Sequence, residues 1–404
     1  MKYNFDQFIN RENTNSVKWD FRFEEGEVQN WDKTYSKHGE NKVLPLWVAD
    51  MDLICPQPVI DALAKRAKHG IFGYTRETEA YYDAVQGWFE RRQGWHIEPS
   101  WITITPGVVP AINILVQAFV KPGEKVIIQP PVYYPFFSAV EGNDAVVIRN
   151  PLLYKDGRYQ IDFDDLEKSA KDPDVRMMVI SSPHNPVGRV WTRDELNRMG
   201  EICRENNILM VSDEIHSDLI MPGYEFVPFP LAGDGFDSFS VVCTAPSKTF
   251  NIAGLKTSNI IIPDKKLRRD FQRTLNKSGI HGISPFGMDA VISAYNEGEE
   301  WLEQVLDYIH KNYLFLKEFI QKELPEIDVI DLEGTYLVWL DCRRLGLDAK
   351  HLESLMLEDA RLYLDEGCIF GSEGDGFERI NIACPRSLLE QALERLRDTI
   401  KTRD

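Results

Sequence analysis

The chain has 404 residues, and its 46 Lys and Arg against 64 Asp and Glu give a formal net charge of −18. At about 150 residues per domain, this length predicts two or three domains and a core that needs no disulfide staples. Hydrophobic residues make up 43% and charged residues 27% of the chain, which excludes disordered, collagen-like and miniprotein classes. The acidic excess argues against a nucleic-acid partner, because phosphate binding needs a basic surface.

The sequence favours a cytoplasmic protein without a membrane partner. No stretch of 18 apolar residues occurs, so no spanning helix is predicted, and the N-terminal residues lack the apolar core of a signal peptide. The six cysteines are irregularly spaced without a CxxC pair, which is typical of free thiols in a reducing compartment. Neither they nor the eight histidines have zinc-site spacing, so we expect no metal.

The first elements in chain order are an arm and two helices. Residues 1–45 are polar with scattered aromatic side chains, and we interpret them as an extended arm that packs on another part of the chain. Apolar residues at helical spacing predict a helix over residues 58–70, which Gly70 ends, and another over residues 81–94. Residues 101–107 read as a short strand and a glycine turn, which lead into a long apolar helix.

The middle of the chain alternates short strands with helices. Apolar, β-branched runs follow one another here, at residues 126–129, 146–150, 175–188, 208–216, 238–250 and 258–263. Between two of them lies a helix that begins at Thr192, with Glu195 three residues on as in a capping box. This alternation predicts an α/β domain with a mostly parallel sheet that is buried on both faces. Ligands of such sheets bind at the carboxyl ends of the strands.

The pattern changes after residue 285. Residues 284–324 predict an almost unbroken helix, and a strand, a helix and another strand follow at residues 334–342, 348–360 and 376–384. This order is typical of a smaller α+β domain, whose partner we expect to be the N-terminal arm.

Two charged residues follow strands in the middle of the chain. Lys248 lies in a loop of small residues just after a strand. A lone loop lysine is more often exposed, but a lysine near strand ends can lose its proton and form a Schiff base. Asp213 ends another strand, where an isolated acid is more often a cap or turn residue. A pyridine cofactor would need a carboxylate there to keep its ring nitrogen protonated.

Two further motifs are weak when taken alone. Asn185 lies between two prolines, which suits either a plain turn or a rigid holder for a ligand oxygen. Gly107 precedes a long helix, whose first backbone N–H groups form a natural phosphate site.

Taken together and in this order, the motifs resemble the fold type I pyridoxal-phosphate enzymes of the aminotransferase class I/II superfamily, over residues 47–385. The runs WVADMDL, FGYT, DEIHSDL, SKTFNIAGLK and GFERINIACPR are similar to its cystathionine β-lyase (MalY/PatB, C–S lyase) branch. The resemblance implies a three-layer α/β/α large domain with a mostly parallel seven-stranded sheet at residues 50–285. It also implies a smaller α+β domain from residues 1–49 and 286–404, and a homodimer with shared active sites.

The resemblance also implies a role for each matching residue. Lys248 would hold pyridoxal 5′-phosphate as a Schiff base and move the Cα proton, Asp213 would pair with the ring nitrogen, and Asn185 would bind the ring hydroxyl. The remaining cofactor residues would be Gly107, Val108, Tyr133, His216, Ser247, Lys256 and, from the neighbouring subunit, Tyr74. Arg379 would bind the substrate α-carboxylate with its fork of donors. The other substrate-binding residues would be Ala49, Tyr133 and Asn185.

Three positions leave alternatives open. Tyr133 is expected to stack on the ring, and Tyr134 is the less favoured choice. Ala245 stands where many relatives have a serine, so that contact is either lost or replaced by Ser247. His216 stands where many aminotransferases have a tyrosine, which agrees with the lyase branch, although a buried structural histidine is an equal interpretation.

The expected function is a β-elimination that cleaves L-cystathionine-like amino acids to a thiol, pyruvate and ammonia. The same residues would serve an aminotransferase, so only the closer resemblance favours the lyase. A regulatory protein on a retained fold is disfavoured because Lys248, Asp213, Asn185 and Arg379 are all present.

Overall fold

The computed structural model describes residues 2–24, 27–31 and 42–403. None of the helices in these ranges is both long and apolar enough to cross a bilayer. The helices are α1 (Val17–Asp20), α2 (Gln57–His69), α3 (Glu79–Gln93), α4 (Val108–Phe119), α5 (Pro135–Glu141), α6 (Phe163–Ala170), α7 (Arg193–Glu205), α8 (Pro246–Thr249), α9 (Lys265–Lys277), α10 (Pro285–Glu297), α11 (Glu299–Glu323), α12 (Ala349–Ser354) and α13 (Arg386–Lys401).

The strands form one large sheet, one smaller sheet and three two-stranded pairs. They are β1 (Phe21–Glu24), β2 (Glu27–Asn30), β3 (Leu44–Pro45), β4 (Ile102–Thr105), β5 (Lys125–Ile128), β6 (Val146–Arg149), β7 (Leu153–Lys155), β8 (Arg158–Gln160), β9 (Val175–Ser181), β10 (Leu209–Asp213), β11 (Ser240–Thr244), β12 (Ser258–Ile261), β13 (Asp328–Val329), β14 (Leu337–Asp341), β15 (Leu362–Tyr363), β16 (Asp365–Glu366) and β17 (Phe377–Asn381).

The large sheet has seven strands in the order β4-β12-β11-β10-β9-β5-β6. Strand β12 is antiparallel to both of its neighbours, and every other pair is parallel. Successive residues of β9, Met177 and Met178, belong to different hydrophobic clusters, the first packed with α4 and the second with α7. The sheet is therefore buried on both faces between helices, which confirms the predicted three-layer α/β/α architecture.

The smaller sheet is antiparallel, in the order β13-β14-β17-β16. The helix expected over residues 284–324 is in fact two helices, α10 and α11, which meet at Gly298. A Cβ atom at Gly298 would lie 2.5 Å from the Ala294 carbonyl oxygen and 2.6 Å from Phe250 Cε1, so only glycine allows this close turn. The helix expected over residues 348–360 is α12 followed by one wider π-type turn at residues 355–359.

The N-terminal arm packs against the C-terminal part of the chain. Leu44 pairs with Leu362 in a parallel bridge between β3 and β15, and Tyr308 of α11 donates a hydrogen bond to Asp6 at 2.6 Å. The arm is not purely extended, because it contains α1 and the β1–β2 hairpin, and residues 25–26 and 32–41 lie outside the described part. On these contacts we propose the division into residues 50–285 and residues 1–49 with 286–404.

Candidate active site

The carboxyl ends of β4, β5, β9, β10 and β11 meet at one edge of the large sheet, where a cavity of about 320 Å³ opens. The chain leaves each buried strand through a polar turn, so this edge collects polar side chains from distant parts of the sequence. Ten of the residues predicted from the sequence line the cavity, namely Ala49, Gly107, Val108, Tyr133, Asn185, Asp213, His216, Ser247, Lys248 and Lys256.

Lys248 follows β11 in the short helix α8, and its side chain is partly open to the cavity. Its Nζ donates a hydrogen bond of 2.6 Å to the carbonyl oxygen of Ala49, which also accepts one of 2.9 Å from the Tyr336 hydroxyl. Burial by the surrounding protein lowers the pKa of Lys248 to about 8, although the negative charge of Asp50 opposes this shift. About a tenth of the amine is therefore neutral and nucleophilic at pH 7, far more than for an ordinary lysine.

Asp213 ends β10 and is only 5% exposed. Its Oδ1 accepts a hydrogen bond of 3.2 Å from the Ile215 N–H. Burial raises the pKa of Asp213 to about 7, although this hydrogen bond and the charge of Lys248 lower it. An ionised carboxylate here has few hydrogen bonds and positive charges to offset the cost of its burial. A cationic ring nitrogen in the cavity would therefore bind beside it favourably.

His216 is a buried residue of the cavity lining and packs edge-on against Tyr336, with ring centroids 6.0 Å apart. Burial and the charges of Lys248 and Arg379 hold the pKa of His216 well below its usual range, so the imidazole is neutral. Its Nδ1 has no hydrogen-bond partner among the described residues. The geometry is compatible with both interpretations of this residue, as a ligand contact and as a structural histidine.

One end of the cavity suits an anion. Gly107 has a φ of 137°, a conformation that favours glycine, and it leads directly into α4. The first N–H groups of this helix have no partner inside the helix and carry the positive end of its dipole. Lys256, in a left-handed conformation with a φ of 48°, lines the cavity together with Ser247. A phosphate group fits this end of the site.

Arg379 of β17 lies beside the cavity rather than in its lining. Its guanidinium donates hydrogen bonds to Asn185 Oδ1 at 2.8 Å and to the Trp47 carbonyl oxygen at 2.9 Å, and it forms a buried ion pair with Asp365. Its Nε has no hydrogen-bond partner among the described residues. The fork is thus held rigidly and retains a donor, as a carboxylate-binding arginine requires.

Sequence reasoning missed three of the contacts around these groups. Asp365 reaches Arg379 because β16 pairs with β17 and sets the two residues opposite each other. Burial raises the pKa of Asp365 to about 6, although the charge of Arg379 opposes this shift. Tyr336 and the Trp47 carbonyl also come from outside the large sheet. No local sequence pattern marks Asp365 or Tyr336 as part of a site, and the run WVADMDL gives its Trp47 no role.

Tyr133 and Tyr74, the two tyrosines predicted to contact the cofactor, lie in different parts of the structure. Tyr133 lines the cavity and its N–H donates to the Asn185 carbonyl oxygen at 3.1 Å, whereas the more exposed Tyr134 does not line it. This placement favours Tyr133 as the stacking residue. Tyr74 is fully exposed in the loop between α2 and α3, and the structure does not bring it to the cavity of its own chain. Its contact with a neighbouring subunit stays a prediction.

The family described as aminotransferase class I and II matches residues 41–396. The chain is 43% identical to cystathionine beta-lyase PatB of Bacillus subtilis, over 98% of this chain and 99% of that protein. It is 31% identical to protein MalY of Escherichia coli, over 92% and 95% of the two chains.

Two solved structures that contain pyridoxal phosphate are also similar to this chain. Cystalysin from Treponema denticola, which contains pyridoxal 5′-phosphate, superposes with a TM-score of 0.94 at 42% identity and covers both chains completely. A pyridoxal-phosphate-bound C–S lyase from Staphylococcus hominis superposes with a TM-score of 0.88 at 32% identity, over 98% of each chain. Among the sequence relatives, the aspartate aminotransferase of Bacillus subtilis is more distant, at 25% identity over 89% of this chain and 92% of that one.

Proposed function

Since this chain belongs to the aminotransferase class I and II family, we propose that it is a pyridoxal-phosphate-dependent carbon–sulfur β-lyase. It cleaves L-cystathionine-like amino acids into a thiol, pyruvate and ammonia. The observation that carries the proposal is the 43% identity, over nearly the whole of both chains, to a cystathionine beta-lyase. The partly open Lys248 and the buried Asp213 carboxylate at the strand ends support it from the chemistry of the site.

The residues present fit pyridoxal phosphate. Asp213 would face the ring nitrogen, Asn185 the ring hydroxyl and Tyr133 the ring face, while Gly107, Val108, Ser247 and Lys256 would hold the phosphate. Lys248 would bind the cofactor covalently through Nζ. When bound, the cofactor supplies an electron-withdrawing ring that accepts the electrons released from the substrate Cα.

The chain's own groups perform the proton transfers and the positioning. Lys248 is a suitable general base for the Cα proton because its pKa of about 8 lies near the working pH. Arg379 binds the substrate α-carboxylate, and its bonds to Asn185 and Trp47 fix the direction in which the fork points. These contacts orient the substrate so that its Cα–H bond faces the Lys248 amine.

An aminotransferase is the second candidate, because it would use the same lysine, carboxylate and arginine. A mixture of purified protein and L-cystathionine without any 2-oxo acid distinguishes the two. The lyase proposal predicts continuous release of pyruvate and a free thiol in equal amounts. Turnover that requires 2-oxoglutarate and yields a new amino acid would refute it.

We also propose a homodimer with shared active sites and a cytoplasmic location. The exposed Ile71, Phe72 and Tyr74 offer an apolar surface for a second copy, and all six cysteines are free thiols. A mixture of inactive Tyr74→Ala and Lys248→Ala chains tests the shared site. Hybrid dimers carry one site with both native residues, so activity should reappear on mixing, whereas separate sites would stay inactive.

A further inference from the structure

The N-terminal arm lies along α11 before it turns towards the active site. The Phe5 ring packs 5.9 Å from Trp301 and 5.4 Å from Tyr308, measured between ring centroids. The Lys2 N–H donates a hydrogen bond of 2.7 Å to Gln304 Oε1. These contacts anchor the beginning of the arm to the C-terminal part of the chain.

A tight loop then brings two cationic side chains of the arm together. The Asp20 carboxylate accepts hydrogen bonds from the N–H groups of Asn13, Thr14 and Ser16, at 2.8, 3.0 and 3.1 Å. Because this carboxylate closes the loop, Arg11 at one side of it and Lys18 at the other reach the same partner segment.

That segment is Ala49–Asp52, and the arm binds its two carboxylates. Arg11 forms a bidentate pair with Asp50, at 2.9 and 2.7 Å, and a further hydrogen bond of 2.7 Å with Asp52. Lys18, with 0% of its surface exposed, donates to Asp52 Oδ2 at 2.7 Å. The Arg11–Asp50 pair is bidentate and half-buried, and the Lys18–Asp52 pair is buried, so both fix geometry better than surface ion pairs do.

The other side of the same segment contacts the reactive lysine. The Ala49 carbonyl oxygen accepts the hydrogen bond from Lys248 Nζ at 2.6 Å. Asn381 Nδ2 donates to the carbonyl oxygens of Val48 and Asp50, both at 2.7 Å. The arm's partner Asp50 is therefore the residue directly after Ala49, whose carbonyl group holds the amine.

We propose that the N-terminal arm is a positioning element of the active site. Through Arg11 it neutralises Asp50 and fixes the Ala49 carbonyl, and it thereby sets how readily the Lys248 nitrogen gives up its proton. Arg11 is a positioning residue, since its own contacts are to Asp50, Met51 and Asp52. The inference rests on the proposed function only in taking Lys248 as the cofactor-binding amine.

The sign of the effect follows from the charges that face each group. Lys248 faces the charged groups of Asp50, Asp213 and Arg379 and the neutral His216. Asp50 faces Arg11, Lys18 and Lys248. A negative charge on Asp50 favours a protonated Lys248 nitrogen, and the positive charge on Arg11 offsets that preference. Removal of Arg11's charge should therefore raise the pKa of this nitrogen, and removal of Asp50's charge should lower it.

A pH titration of the holoenzyme's visible cofactor band tests this, because the band reports protonation at the Lys248 nitrogen. We expect Arg11→Gln to shift the midpoint upwards and Asp50→Asn to shift it downwards, each by about half a pH unit. Shifts of this size are typical of the pKa changes that a neighbouring charge produces in proteins. Arg11→Lys should restore the native midpoint. Lys2→Gln removes one charge from the same arm at an exposed ion pair with Glu300, and it should leave the midpoint unchanged.

Shifts of opposite sign separate an electrostatic role from mere loosening of the fold, which would move both variants in one direction. Unchanged midpoints, or shifts of the same sign in Arg11→Gln and Asp50→Asn, would overturn the proposal. Asp50→Asn keeps it testable if Arg11→Gln does not fold. A finding that the protein is an aminotransferase would change the products and leave these shifts intact. A visible band that persists in Lys248→Ala would instead refute the cofactor assignment itself.

Discussion

Replacement of Asp213 by asparagine should separate stability from activity. Burial raises the pKa of this carboxyl from its ordinary 3.8 to about 7 in the folded protein without cofactor. Between these two values the folded chain keeps a proton that the unfolded chain has released, so the free energy of unfolding falls as pH rises through this window. Above pH 7 the ionised carboxylate costs about 4 kcal/mol. Asparagine keeps the shape and carries no charge.

The expected result is a gain in stability for the cofactor-free protein. Asp213→Asn should raise its free energy of unfolding most at pH 8, and the gain should exceed the gain at pH 5 by about 3 kcal/mol. Urea unfolding of both proteins at the two pH values measures the difference. The loaded variant should lose roughly 100- to 1,000-fold in kcat, the effect of removing one well-placed electrostatic group.

Glu214→Gln is the matched control. Glu214 is buried next in the chain, and burial raises its pKa to about 8, but it bonds to Ser212 and Phe229 and does not line the cavity. This variant should gain stability at high pH and keep its activity. A cofactor-free Asp213→Asn protein that is less stable than the native one at pH 8, or a loaded variant that keeps full activity, would refute the reasoning.

Four further substitutions test other parts of the site. Lys248→Ala should abolish the visible band of the covalently bound cofactor in the absorption spectrum, while Lys256→Ala should keep the band and weaken cofactor affinity in an equilibrium titration. Arg379→Ala should lower kcat/KM for L-cystathionine, mostly by raising KM, because a charged hydrogen bond to the substrate is lost. The corresponding loss of binding free energy is about 2–3 kcal/mol. An unchanged KM would place the carboxylate site elsewhere. Gly107→Ala should weaken cofactor binding at unchanged kcat under saturating cofactor, since alanine strains the φ of 137° at the phosphate end; native affinity would argue against that phosphate site.

The sequence predicts the part of the site that the parallel sheet builds. Gly107, Asn185 and Lys248 each follow a strand of the large sheet, and Asp213 ends one. The carboxyl ends of parallel strands converge by geometry. Their convergence around one cavity could therefore be expected before the structure was known. The family resemblance then supplied what local patterns cannot, which is the role of each group.

Contacts between segments that are distant in sequence and lie outside the parallel sheet could not be predicted in this way. Asp365 meets Arg379 only because two antiparallel strands pair in one register, and a register is set by tertiary packing rather than by local sequence. The break between α10 and α11 lies at Gly298, where Phe250 approaches closely. Phe250 is far from Gly298 in sequence, so no local pattern predicts this approach. The contacts of Arg11 and Lys18 with Asp50 and Asp52 arise in the same way.

The fate of the substrate nitrogen tests the proposed reaction most directly. The native protein is incubated with L-cystathionine that carries ¹⁵N in the amino group of its cysteine-derived half, without any 2-oxo acid. A β-lyase releases ¹⁵N-ammonium and pyruvate in equal amounts over many turnovers. Retention of the label on the protein after one turnover, or its appearance in a new amino acid once 2-oxoglutarate is added, would contradict β-elimination.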